Sequence, residues 1–263
     1  MLTLILIYAA IGATAGLLAG VLGLGGGLVI IPALTFIFAH QPDIVPANNM
    51  MHFVVGTSLA SILPTTLFAL RAHLRHKSID PNLLKQLIPG IIMGTIAGSI
   101  LASFLHTNTV KTLFGIFVLL VAIRMFISRE SSSTRQLGIW GRRIGSFIIG
   151  NIAGILGVGG GVLTTPWLNH FSIPIRQAIA TSTACGVVIS LAGIASYTLT
   201  GISDGVSISW GTGYIYWPAV LAISILSPIF AHFGVSISHR LPTKILKNIF
   251  AVFVSIVGVK MLL

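Results

Sequence analysis

Two ten-residue stretches set the strongest constraint on this chain: GLGGGLVIIP at 23–32 and GVGGGVLTTP at 157–166. Each lies inside an apolar run, 3–39 and 138–170, greasy enough to be a membrane helix. Glycine is among the weakest helix formers, and proline in a helix interior removes a hydrogen bond. Each run must therefore break. In lipid no water takes up the freed backbone groups, so a broken helix survives only when packed in protein or lining a wet cavity.

The lipid setting follows from composition. Hydrophobic residues make up 55% of the 263 positions and charged residues only 7%, where soluble domains carry roughly a quarter charged. No polar stretch exceeds the length of a loop, which leaves no room for a sizeable soluble domain. Runs approaching the bilayer-crossing length of about 20 residues fall near 50–70, 86–105, 109–128, 177–198, 214–238 and 245–263. The expectation is an all-α polytopic membrane protein. Its net charge of +11 then reads as the positive-inside bias of membrane loops, with the bilayer and not nucleic acid as partner. The single cysteine, Cys185, excludes an internal disulfide. The opening MLTLILIYAA lacks the basic n-region of a signal peptide and is expected to be retained as a membrane segment.

The chain reads as two copies of one unit. A shift of 134 residues lays Gly16, Gly20, Gly23, Gly25, Gly26, Gly27 and Pro32 on Gly150, Gly154, Gly157, Gly159, Gly160, Gly161 and Pro166. A shift of 124 lays Thr57-Ser58 on Thr181-Ser182, and one of 136 lays KTLFGIFVLLVAIRM on KNIFAVFVSIVGVKM. The matches keep their order, as in the internal repeats of secondary transporters. The expected division is a first transmembrane repeat at 1–127, a cytoplasmic linker at 128–137 and a second repeat at 138–263. Each repeat carries a glycine-broken helix, re-entrant or discontinuous, plus three transmembrane helices.

Charge orients the copies. If both glycine segments cross the membrane, ten Lys/Arg fall on one side and five on the other. If each dips in and returns, thirteen of the fifteen share one side and only Lys111 and Lys260 oppose them. The second count obeys the positive-inside rule better and makes the repeats inverted.

At each break the chain turns and restarts a helix whose first amides have no intrahelical acceptor. They lie at the positive end of a helix dipole, a ready anion site. Gly25, Gly26, Gly27 and Leu28 in the first copy, with Gly159, Gly160, Gly161 and Val162 in the second, are therefore candidate substrate-binding residues. Pro32 also leaves the Leu28 carbonyl without its usual donor. Close helix packing is the alternative use of such glycines, and the G-x-x-x-G spacing of Gly16/Gly20 and Gly150/Gly154 favours it there. No Lys-Ser/Thr follows either motif and no strand precedes it, so neither is a nucleotide-phosphate fingerprint.

The hydroxyls of Thr57, Ser58, Thr181 and Ser182 could donate to a bound anion or bond back to their own helices. Asn48, Asn49 and Gln177 could add amide donors or serve as caps. Asp43, Asp80, Glu130 and Asp204 all fall in loops, so no span core carries the carboxylate that a cation carrier or proton relay ordinarily needs. His52 and His232 are the remaining proton-coupling candidates. Arg124 and Lys260 match between the copies and read as snorkelling anchors. No metal site or cofactor is implied. HExxH, GxGD and GxSG are absent, which argues against an intramembrane enzyme.

GLGGGLVIIPALTF and GVGGGVLTTPWL, with VGTSLASIL (55–63), QAIATSTACG (177–186) and RHKSID (75–80), resemble the TauE/SafE family of sulfite and organosulfonate exporters. The resemblance covers nearly the whole chain. It implies a secondary carrier of small sulfur-containing anions in the bacterial inner membrane, working by alternating access and coupled to protons. An anion channel of the same architecture is the alternative. The loop HQPDIVPANNMMH (40–52) is longer than the family pattern.

Overall fold

The computed structural model describes residues 2–22, 26–41, 44–75, 78–127, 138–238 and 243–262. The expected linker 128–137 and Gly25 lie outside the described residues, as do Asp43 and Glu130. Among the described residues ten α-helices follow one another: α1 (Leu2–Leu22), α2 (Gly27–Ala39), α3 (Met50–Arg75, preceded by a 3-10 turn at Ala47–Asn49), α4 (Pro81–Ser103), α5 (Thr107–Ile127), α6 (Ile139–Leu156), α7 (Gly161–His170), α8 (Ile175–Ser203), α9 (Trp217–Ser238) and α10 (Thr243–Leu262). Between α8 and α9 sits a two-residue β-hairpin, β1 (Gly211–Thr212) paired antiparallel with β2 (Ile215–Tyr216). Among the described residues, five helical stretches are long and apolar enough to cross a membrane. They fall within α3, α4, α5, α8 and α9. Leu6, Phe68, Met93, Leu120, Leu199 and Leu221 stand exposed on the outer flanks, where a bilayer would cover them.

The glycine breaks end one helix and start another as the sequence requires. α2 restarts at Gly27 and α7 at Gly161, with Pro32 and Pro166 inside them. In each pair the second helix turns back along the first. Phe38 of α2 and Tyr8 of α1 pack edge-on against the same Tyr216 ring, at 6.0 and 6.3 Å between centroids. A Cβ on Gly26 would lie 3.4 Å from that of Ala15. In the second pair, Gly145 of α6 abuts the Trp167 ring of α7. The two segments are helical hairpins with glycine tips.

Close packing then ties each hairpin to the opposite half of the chain. Gly12, Gly16 and Gly20 of α1 face the carbonyls of Ile223, Ser227 and Ala231 of α9. Gly94 and Gly98 of α4 face those of Phe147 and Asn151 of α6, while Gly150 meets Ile91 from the other side. The residue numbers rise together, so α1 runs parallel to α9 and α4 parallel to α6. Small residues let such backbones touch, which is how helices associate when lipid is as apolar as a side chain. The packing use of Gly16, Gly20, Gly150 and Gly154 is the one seen. In contrast, Gly56 meets Tyr197 while Gly186 lies near Thr66, so α3 and α8 are antiparallel at the centre. Gly115 against Leu262 and Gly258 against Leu119 make α5 and α10 antiparallel as well.

Local chemistry sets the ends. Asp80 caps α4 by accepting from the amides of Asn82 (2.9 Å) and Leu83 (3.3 Å), with Pro81 in the first turn. α3 and α8 run past the expected ends at 70 and 198, to Arg75 and Ser203. Hydropathy falls there, but the backbone has no reason to stop.

Candidate functional site

The two hairpin tips meet. A Cβ on Gly27 would lie 3.2 Å from the Gly157 carbonyl oxygen and 3.0 Å from Ile62 of α3. Ile62 also reaches Gly159, whose own Cβ would meet only that side chain among the described residues, at 3.4 Å. Gly157 ends α6 in the left-handed region, at φ 71°, which lets the chain reverse. Ser58 of α3 donates to the Gly157 carbonyl at 3.1 Å and so holds the second tip against α3. Tyr197 of α8 does the same one turn earlier, donating to the Gly154 carbonyl at 2.9 Å.

Both restarting helices present bare first turns. Gly26 and Gly160 are the N-caps, and neither end has a side-chain cap hydrogen bond. The Gly26 carbonyl accepts from Val29 and Ile30, and that of Gly160 from Thr164. The amides of Gly27 and Leu28, and of Gly161 and Val162, thus precede the first intrahelical bonds. Pro32 and Pro166 leave the Leu28 and Val162 carbonyls without their ordinary donors. Each helix start carries the positive end of its dipole, and that of α2 lies against the second tip in a buried setting without charged side chains among the described residues.

The glycines do not share one role. A Cβ on Gly160 would press on the Gly186 nitrogen and the Ser182 carbonyl of α8, both at 2.9 Å, so Gly160 is a packing residue. Gly26 faces only the side chains of Ile30 and Ala15 within 3.4 Å. Gly159 is buried, and among the described residues only the Ile62 side chain would meet its Cβ.

The hydroxyl pairs also divide. Thr57 Oγ1 accepts from the Tyr216 amide at 3.1 Å, which pins β2 to α3. Ser182 bonds Thr165 at 2.7 Å and donates to the Ile179 carbonyl at 2.9 Å. The Thr181 hydroxyl is fully buried and has no hydrogen-bond partner among the described residues. The same holds for Thr164, a residue the sequence reading passed over. Its signal was present: Thr164-Thr165 stand where the first copy has Ile30-Ile31. A buried hydroxyl left unpaired costs about 1–3 kcal/mol; Tyr8, Thr95, Ser190 and Ser224 share this state among the described residues, and Thr181 and Thr164 differ from them in lying on the sequence motifs of the second copy.

His52 is buried in α3, one turn before Val55, which packs on Gly157. Its Nε2 lies 2.9 Å from the Ala102 carbonyl oxygen. A carbonyl can only accept, so Nε2 carries the hydrogen, and Nδ1 is left buried and unpartnered among the described residues. The ring lies over Tyr214 at 5.1 Å. Tyr214 donates to Asp204 at 2.7 Å and accepts from Asn49 at 3.0 Å. Burial first, and then the Asp204 carboxylate, hold that phenol well above its ordinary pKa. His232, the other coupling candidate, has a different setting. It stands exposed on α9 beside Phe233, because the buried stripe of α9 runs through Ala219, Ile223 and Ser227 and position 232 falls outside it. The structure does not bring it among the tips.

A family model described as "Sulfite exporter TauE/SafE" matches residues 8–261. A probable membrane transporter protein of Haemophilus influenzae is 32% identical over 265 residues, spanning 100% of both chains. One from Methanocaldococcus jannaschii is 28% identical and covers 96% of this chain and 93% of its own. The probable membrane transporter protein YunE of Bacillus subtilis is 24% identical over 97% of this chain and 96% of its own. No solved structure matches.

Proposed function

The chain belongs to the sulfite exporter TauE/SafE family, and on that premise we propose that it is a secondary active transporter of small sulfur-containing anions, sulfite or organosulfonates, in the bacterial inner membrane. One observation carries the reading: the uncapped start of α2 lies against the tip of the second hairpin, from which α7 starts uncapped as well, and the described residues at these tips carry no charge. An oxyanion offers several acceptors and no donors, which is the complement of such a junction. In this reading the anion sits between Gly26, Gly27 and Leu28 on one tip and Gly159, Gly161 and Val162 on the other, and Thr181 donates to it. Thr57, Ser58, Gly160 and Ser182 act by positioning the tips.

The repeats are inverted and exchange α1–α5 with α6–α10. The parallel pairs α1/α9 and α6/α4, and the antiparallel pairs α3/α8 and α5/α10, support this, since such an exchange maps each pairing onto another of its kind. The hairpins then re-enter from opposite faces, and rocking one repeat against the other opens the junction to either side. His52 is the coupling candidate, through its unpartnered Nδ1.

Reconstituted protein should show saturable uptake of sulfite or sulfoacetate and accelerated counterflow from liposomes preloaded with the same anion. Current without counterflow would favour the channel reading, and inertness toward every sulfur anion would remove the substrate assignment. His52→Gln should keep counterflow while losing acceleration by an imposed pH gradient. Unchanged acceleration would clear His52 of that role.

A further inference from the structure

A polar cavity lies away from the tips, at the far end of the second hairpin. It encloses about 270 Å³ between Leu83 at the start of α4, Arg142 in the first turn of α6, the α7–α8 turn at Ser172 and Gln177 in the first turn of α8. Pockets for drug-sized ligands run from about 300 Å³ upward, so this one suits a small ion. Leu168 of α7 forms part of its wall, about 10 Å along the helix from Gly161. It lies where α4, α6 and α8 begin, the end of the molecule to which the re-entrant charge count assigns thirteen of the fifteen Lys/Arg.

Arg142 supplies the cavity's charge. Its Nη1 donates to Gln86 Oε1 at 2.8 Å, a neutral partner that orients the guanidinium without neutralising it. Among the described residues no carboxylate pairs with Arg142. Its neighbour Arg143 turns elsewhere, to the Trp140 ring 5.8 Å away. Gln177 adds a side-chain amide. The remaining guanidinium N–H groups form a planar fork that matches two oxygens of one oxyanion.

We propose that this cavity is a second anion site, a vestibule on the basic face in which Arg142 and Gln177 hold a small sulfonate or sulfite before it reaches the tips. Its role as a vestibule rests on the transport reading above, while its preference for anions does not. Gln86 is a positioning residue there.

The test uses Ser172→Cys, an exposed position on the cavity wall, in full-length protein whose native Cys185 is buried. Labelling rates are compared for two thiosulfonate reagents, one bearing a sulfonate and one a trimethylammonium, each normalised to its rate with a free thiol. The expected preference for the sulfonate reagent is about tenfold, the scale of local electrostatic steering. Arg142→Gln should bring the ratio near one, while Arg142→Lys and Arg176→Gln should keep it. Methanesulfonate should slow the labelling, and only when Arg142 is present. Equal rates in the parent, or a preference that Arg142→Gln leaves intact, would overturn the site. Protection by phosphatidylglycerol in the vesicles but not by methanesulfonate would overturn it too, giving the cavity to a lipid headgroup. An intact preference in protein that transports no sulfur anion keeps the site and removes the proposed function. Transport without the preference does the reverse.

Discussion

At the scale of single residues, two kinds of substitution separate binding from packing. Thr181→Val keeps shape and removes a hydroxyl that has no partner, so its loss leaves the fold unharmed or slightly more stable. If that hydroxyl donates to the anion, apparent affinity should fall about tenfold or more, the worth of a hydrogen bond to a charged group. Unaltered transport by Thr181→Val would show the hydroxyl to be idle. The tip glycines give a second contrast. Gly159→Ala places a methyl against one flexible side chain at 3.4 Å, whereas Gly160→Ala places it against two backbone atoms at 2.9 Å. Melting temperature should therefore drop for Gly160→Ala and hold for Gly159→Ala, while anion uptake weakens in both. A Gly159→Val protein with full uptake would sink the tip assignment.

At the scale of elements, the glycine stripes hold the hairpins to the other half. Gly94 of α4 faces backbone atoms of α6, with no flexible tip to yield. Gly94→Leu should cost about 1–3 kcal/mol or more through overpacking, read as a lowered unfolding temperature in detergent. The equivalent strain at Gly16 against Ser227 should be similar, because that pair is built alike. A hairpin detached from its partner helix would misplace its tip as well, so these variants lose transport through the fold. Their instability distinguishes them from Gly159→Ala.

For the whole molecule, the re-entrant reading makes a sidedness prediction. Single cysteines at exposed Asn82 and Asn169 belong to one face, and at exposed Asn108 and Ser209 to the other. An impermeant thiol reagent added to intact cells should reach Asn108→Cys and Ser209→Cys and spare the first two, since the basic face lies inside. Labelling of Asn169→Cys together with Asn108→Cys would mean that α6 and α7 cross the membrane as one kinked helix.

What this sequence determined by itself was whatever depends on local composition. Hydropathy runs located the long helices, because crossing lipid demands about 20 apolar residues whatever surrounds them. Glycine and proline located both breaks, because their backbone limits hold in any context. The G-x-x-x-G spacing of Gly16/Gly20 and Gly150/Gly154 foretold close packing, though not that α9 and α4 would be the partners. Other features depended on neighbours distant in the chain. Gly159 and Gly160 are adjacent and chemically identical, yet α8 lies against one and leaves room beside the other. Thr57 and Thr181 occupy matching positions, yet only Thr57 finds an amide, that of Tyr216 from the β-hairpin. His232 lies within an apolar run, and the rotation of α9 turns it outward. Arg142 and Gln177 are 35 positions apart, and only the meeting of α6, α8 and the α7–α8 turn puts them around one cavity. Composition acts through the chain's own few neighbouring residues, whereas contact between remote segments is set by how the helices pack.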